Sequence, residues 1–143
     1  MFEKIQLDPL NQFYPVKLDE IKNSESKLAI QIPELLKEFY LEVGYGFLKS
    51  KVANINRIMD PESVLDFRFR QHDFEFYPDI EIYNQFEDDK LVFFEANEVA
   101  LLSIGFAAEN KGKIYYYDKE IAPNLVELLE QLMEDDTFYY DLI

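Results

Sequence analysis

One histidine, 29 carboxylates and no cysteine set the chemistry open to this 143-residue chain. Without cysteine there are no disulfides, thiolate nucleophiles, or Cys-based zinc or iron–sulfur sites. A Ser-His-Asp triad would have to recruit His72, yet Ser24, Ser26, Ser50, Ser63 and Ser103 all lack the flanking glycines of a nucleophile elbow. His72 therefore reads as an exposed loop residue. Gly44-Tyr45-Gly46 invites comparison with a phosphate loop, but it has no third glycine and ends a helix pattern instead of following a strand. Its chemistry is that of a helix C-cap. The sequence predicts no catalytic residue, no metal site and no cofactor.

The carboxylates are concentrated in residues 71–89, which hold Asp73, Glu75, Asp79, Glu81, Glu87, Asp88 and Asp89 and neither Lys nor Arg. The EF-hand pattern is missing, because the alternating Asp/Asn ligands and the central glycine are not there. Paired carboxylates for glycoside hydrolysis need two groups held at a fixed separation in a cleft, and so acidic a chain supplies pairs by chance. Two readings stay open. The stretch is either a solvated loop with a charged edge strand that resists edge pairing, or a partner-binding surface. In the second reading Asp73, Glu75, Asp79, Glu81 and the Glu87–Asp89 run steer a basic partner, and aromatics such as Tyr77 and Tyr83 supply desolvated anchors.

Period decides which elements would carry these residues. Around Pro33, the residues Leu35, Leu36, Phe39, Tyr40 and Val43 fall on one helical stripe, with Glu34, Lys37, Glu38 and Glu42 opposite. The spacing predicts a helix from about Pro33 to Val43, with Pro33 in its first turn and Gly44 closing it in a left-handed conformation. An earlier helix is expected over Leu18–Leu28, with Leu18, Ile21 and Leu28 inward, packed as a hairpin on the next. Residues 1–16 read as an irregular or extended lead-in. Phe47–Met59 reads as extended chain, and Asp60-Pro61 as the start of a further helix with Val64, Leu65 and Phe67 inward.

Within the acidic stretch, Phe74 and Phe76 alternate with Asp73 and Glu75, and Ile80 and Ile82 with Asp79 and Glu81, which predicts short strands. Clearer strands follow at Leu91–Glu95, Val99–Phe106 and Lys113–Tyr117, joined as an antiparallel meander by turns at 107–112 and 118–120. A closing helix spans about Ala122–Met133 on Leu125, Leu128, Leu129, Leu132 and Met133, with Asn124 and Glu127 spaced as a capping box. The aromatic tail Phe138, Tyr139 and Tyr140 is expected to dock on the core.

Composition bounds the class. With 48% apolar residues, 16% aromatics, four glycines and six prolines, the chain is globular, and its length suits a single domain over 1–143. No basic leader with an apolar core opens the sequence and no apolar run approaches a membrane span, so a cytoplasmic location is the expectation. The net charge of −15 repels nucleic-acid phosphates and anionic lipid, and attracts basic partners.

The ordered set of a helix, the Ile30/Ile32-Pro33 entry to a second helix ending at Gly44 and Gly46, then Asp60-Pro61-Glu62-Ser63-Val64, Leu91-Val92-Phe93-Phe94, the Leu101–Phe106 strand, Gly112-Lys113-Ile114-Tyr115-Tyr116 and Ile121-Ala122 before the last helix resembles the SUKH superfamily. That group includes yeast cell-wall-synthesis regulators and, mainly, bacterial toxin-immunity proteins. The resemblance implies an α+β domain, a mostly antiparallel sheet with helices packed on one side. It also implies a non-catalytic immunity protein that binds and neutralises a cognate toxin, often a nuclease; with the acidic charge, the expected partner is a basic protein toxin domain, and the expected state a monomer or weak dimer. A regulatory scaffold and a carboxylate-based hydrolase are the alternatives. Pro33, Gly44 and Gly46 match the family pattern as fold-makers, and the acidic stretch lies outside the resemblance.

Overall fold

A computed structural model of the chain describes residues 1–49, 55–96 and 100–139. Along the chain run α1 (Glu3–Leu7), β1 (Gln12–Tyr14), α2 (Leu18–Leu28), α3 (Glu34–Glu42), β2 (Tyr45–Phe47), β3 (Asn56–Ile58) and α4 (Pro61–Phe69). Two 3₁₀ helices follow, His72–Phe74 and Ile80–Phe86, and then β4 (Lys90–Ala96), β5 (Ala100–Gly105), β6 (Ile114–Tyr116), β7 (Lys119–Ala122) and α5 (Leu125–Glu134). Among the described residues the strands form one seven-stranded sheet in sequence order, β1 to β7, with every neighbouring pair antiparallel. This is the α+β meander the sequence predicts, extended by strands at both ends. The lead-in contributes α1 and β1, and the stretch expected to be a plain turn after Tyr117 forms β7.

Helix α2 keeps the bounds the sequence predicts, whereas α5 starts at Leu125, three residues later than expected, because Ala122 is taken up as the last residue of β7. In α5, Leu125, Leu128, Leu129 and Leu132 are buried and the Asn124 carboxamide oxygen accepts the Glu127 N–H at 3.0 Å. In α2, Ile21, Ser24 and Leu28 are buried whereas Leu18 is exposed, so the inner face is rotated from the expected one. The main helix neighbour of α2 is α4, and α3 instead contacts α5, in place of the expected hairpin; α4 in turn lies on β4. Between α2 and α3 the Glu25–Lys37 ion pair at 3.1 Å remains.

Pro33 stands just before α3, at its N-cap, with an extended ψ of 142°. Gly44, at φ +116°, donates its N–H to the Phe39 carbonyl at 3.0 Å and so closes the helix as expected. It has a second duty. A Cβ on Gly44 would sit 2.0 Å from the Tyr14 carbonyl oxygen, and one on Gly46 2.1 Å from that of Gln12, so both glycines let β1 lie against β2.

The expected long strand Phe47–Met59 is two strands, β2 and β3; Val52 and Asn54 lie outside the described residues, as do Val99 and Tyr140. Its inner face also differs, since Ile55 is exposed and Asn56 buried. The Asn56 carboxamide donates to the Asp136 carbonyl and accepts the Tyr139 hydroxyl, both at 2.8 Å, which docks the aromatic tail as the sequence predicts. Tyr40, fully buried in α3, donates to the Met59 carbonyl at 2.6 Å and ties that helix to the end of β3.

Candidate functional site

The acidic stretch is not built of strands. Period two would have turned Phe74 and Phe76 to one side, but Phe74 is buried and Phe76 is 88% exposed. The stretch follows a three-residue period instead. Phe74, Tyr77, Ile80, Tyr83 and Phe86 recur every third position, and the turn hydrogen bonds Tyr77 N–H to Phe74 and Ile80 N–H to Tyr77 span three residues. In a 3₁₀ geometry such side chains eclipse one another and make a single inward row. Of the row, Phe74, Ile80 and Tyr83 are buried, while Tyr77 and Phe86 are partly so.

Aromatic contacts continue from this row in two directions. Phe67 of α4 packs edge-on against Phe74 at 5.1 Å and Tyr83 at 5.7 Å between centroids. On the sheet side, Tyr117, just past β6, meets Tyr83 at 5.3 Å and Phe86 at 5.4 Å. Burial, and then the neighbouring Tyr117 phenol, raise the pKa of Tyr83; burial followed by the hydrogen bond with Tyr117 pushes Tyr116 up to about 12. Both phenols are neutral at physiological pH.

Two arginines fasten the stretch where it enters and leaves. Arg68 donates to the carbonyls of Glu87 and Lys90, at 2.8 and 3.0 Å, and lies over the Phe106 ring. Arg70 donates to the Phe67 carbonyl and the Asn84 side chain, pairs with the Glu87 carboxylate, and covers the Phe67 ring. Lys90 pairs with Asp89 at 2.8 Å. Just before α4 the Asp60 carboxylate accepts from Ser63 and pairs with Arg57 at 3.2 Å, so it serves an ion-pair network that also includes Glu95.

The expected partner-binding residues thus divide. Asp73, Glu75, Asp79, Glu81 and Asp88 are exposed, Tyr77 and Asp89 are half-buried, and Tyr83 and Glu87 are buried within the supporting structure. Tyr77, Asp79 and Tyr83 come together with Pro78 and Ile82 along a groove of about 700 Å³, whose other wall is Glu95 of β4, Leu101 of β5, Tyr116 and Tyr117. Those four lie outside the stretch read from sequence. For Tyr116 and Tyr117 the signal is the run Tyr115-Tyr116-Tyr117, though only the fold brings it beside Tyr83; Glu95 and Leu101 carry none.

A second concavity of about 580 Å³ lies between α2 and α4, with His72 on its wall. His72 is exposed and its Nδ1 stands 2.9 Å from the Asp66 carboxylate; that hydrogen bond first, and the charge of Asp66 with it, raise its pKa. Among the described residues no group of three or more His, Asp or Glu side chains converges to hold a metal ion, and no helix is long and apolar enough to cross a membrane.

Residues 18–129, from the start of α2 into α5, match the family model SUKH_6, described as SMI1-KNR4 cell-wall. The chain belongs to this SUKH family. A relative from Bacillus subtilis (strain 168), 56% identical over 133 residues that span 93% of this chain and 90% of the relative, is named "Immunity protein YxxD". No solved structure gives a significant match.

Proposed function

We propose that this chain is an immunity protein, which binds a cognate protein toxin and neutralises it by occlusion, with no chemistry of its own. The observation that carries the reading is the 56% identity, over nearly the whole of both chains, to a protein named for immunity. Charge points to the kind of toxin. A surface with net charge −15 accelerates encounter with a basic domain, and a nuclease, whose surface is built to hold phosphates, is such a domain. The exposed Asp73, Glu75, Asp79, Glu81 and Asp88 form the steering face, with Tyr77 and Asp89 beside them. Buried Tyr83 and Glu87 act from behind it, by holding the stretch in place.

The test is titration of the purified protein into the toxin domain encoded beside its gene. Toxic activity should disappear at about one equivalent as a stable complex forms. A toxin fully active in excess protein removes the immunity reading.

A further inference from the structure

We propose that the groove between the second 3₁₀ helix and the β5–β6 end of the sheet receives an arginine side chain of the toxin. The inference rests on the immunity reading and adds the chemistry of the contact. Three features of the groove select the occupant. Its walls are mostly rings and aliphatic carbon, from Tyr77, Tyr83, Tyr117 and Ile82, so it takes a flat group that stacks. Asp79 and Glu95 line the same space, and among the described residues no Lys or Arg does. An apolar occupant would strip water from those carboxylates without replacing its hydrogen bonds, and an acidic one would meet like charge.

A cation remains, and the guanidinium suits these walls better than an ammonium. It is planar, less strongly hydrated, stacks on tyrosine, and donates a fork of hydrogen bonds to a carboxylate. Glu95 is already paired with Arg57, which leaves exposed Asp79 as the principal acceptor. The raised phenol pKa values keep Tyr83 and Tyr116 as neutral rings. Ile82, 42% exposed, and Phe76, 88% exposed, add apolar contact for the backbone that carries the arginine.

The experiment has two arms. In the first, capped Gly-Arg-Gly, Gly-Lys-Gly and Gly-Ala-Gly peptides are titrated into the whole protein while the ring signals of Tyr77, Tyr83 and Tyr117 are followed by NMR. The arginine peptide should shift them, the alanine peptide should not, and the lysine peptide should do so less. Equal shifts from all three overturn the groove, and a lysine peptide as effective as the arginine one overturns the choice of guanidinium. In the second arm, binding of the neighbouring toxin domain is compared for the wild type, Asp79→Asn and Ile82→Lys, both exposed positions whose folding is checked by circular dichroism. Each variant should weaken binding by about tenfold to a hundredfold. Unchanged affinity in both discards the arginine contact and leaves the immunity reading standing. Failure of the wild type to bind the toxin removes that reading, and the peptide arm then decides the groove alone.

Discussion

Strands β4 and β5 and the segment 72–86 are both rich in aromatic and aliphatic side chains, yet they keep their shape by different means. In the strands the main chain does the work. They pair over six register positions, from Lys90 opposite Gly105 to Ala96 opposite Ala100, and every residue of β5 is buried. Successive residues of a strand point to opposite faces, so both faces of the sheet are covered there. The 72–86 segment has only short-range turn bonds, two of them stretched to 3.4 Å. Three non-glycine residues in or beside it, Arg70, His72 and Asp79, sit at φ between +51° and +58°. Each such residue costs of order 1 kcal/mol and persists only when its surroundings enforce it. Arg68, Arg70 and the inward aromatic row do the enforcing. A sheet is specified by its backbone pattern; this segment is specified by a few side chains acting from outside.

That contrast is open to attack. Truncating Leu102, fully buried in β5, should cost about 2–5 kcal/mol and move the denaturation of the entire molecule, segment included, to lower denaturant. A segment that kept its wild-type midpoint would show that it does not depend on the sheet.

Arg70→Ala leaves the Glu87 carboxylate, only 10% exposed, without its partner, and should cost about 1–3 kcal/mol. The loss should be local. Amide exchange ought to rise across 72–86 and stay slow in β4 and β5, whereas equal acceleration in both would erase the distinction. Arg70→Gly should be milder than Arg70→Ala, because glycine accepts the left-handed backbone that alanine resists.

The smallest effect is that of His72. Its pKa is raised in the folded protein, so its pairing with Asp66 contributes stability in full below the unfolded value and loses it as pH rises through the elevated folded one. NMR titration should place His72 above 6.5, and Asp66→Asn should return it toward that figure. The stability difference between wild type and His72→Asn, a residue that tolerates the left-handed backbone, should shrink as pH rises from below the unfolded value through the raised folded one. A difference independent of pH would remove the pair from the segment's supports.

The α2 boundaries, the end of α5 and the Asp60-Pro61 start of α4 were legible because they rest on periods and end signals contained within a dozen residues. The central strands were legible for the same reason. What escaped depends on neighbours distant in sequence. Gly44 reads as a helix stop, but its closeness to the Tyr14 carbonyl appears only when β1 is laid beside β2. Asn56 looks like a strand interruption and is instead a buried anchor. The acidic stretch misled because two- and three-residue periods coincide at Phe74 and Ile80, and Tyr77 and Tyr83 break the tie only if the 3₁₀ row is considered. Within the candidate groove, Tyr77, Asp79 and Tyr83 were within reach of sequence reasoning; Glu95 and Leu101 are ordinary strand residues that acquire a role from what faces them.

Asn56 ties the middle of the sheet to the far end of the chain. Its two partners, Asp136 and Tyr139, come 80 and 83 residues later. While the chain is being made, β3 carries an amide that belongs inside but has nothing to bond, and burying it early would cost about 1–3 kcal/mol. A chain lacking residues 136–139 would leave that amide without these two partners and hold β3 less firmly, by about the same 1–3 kcal/mol.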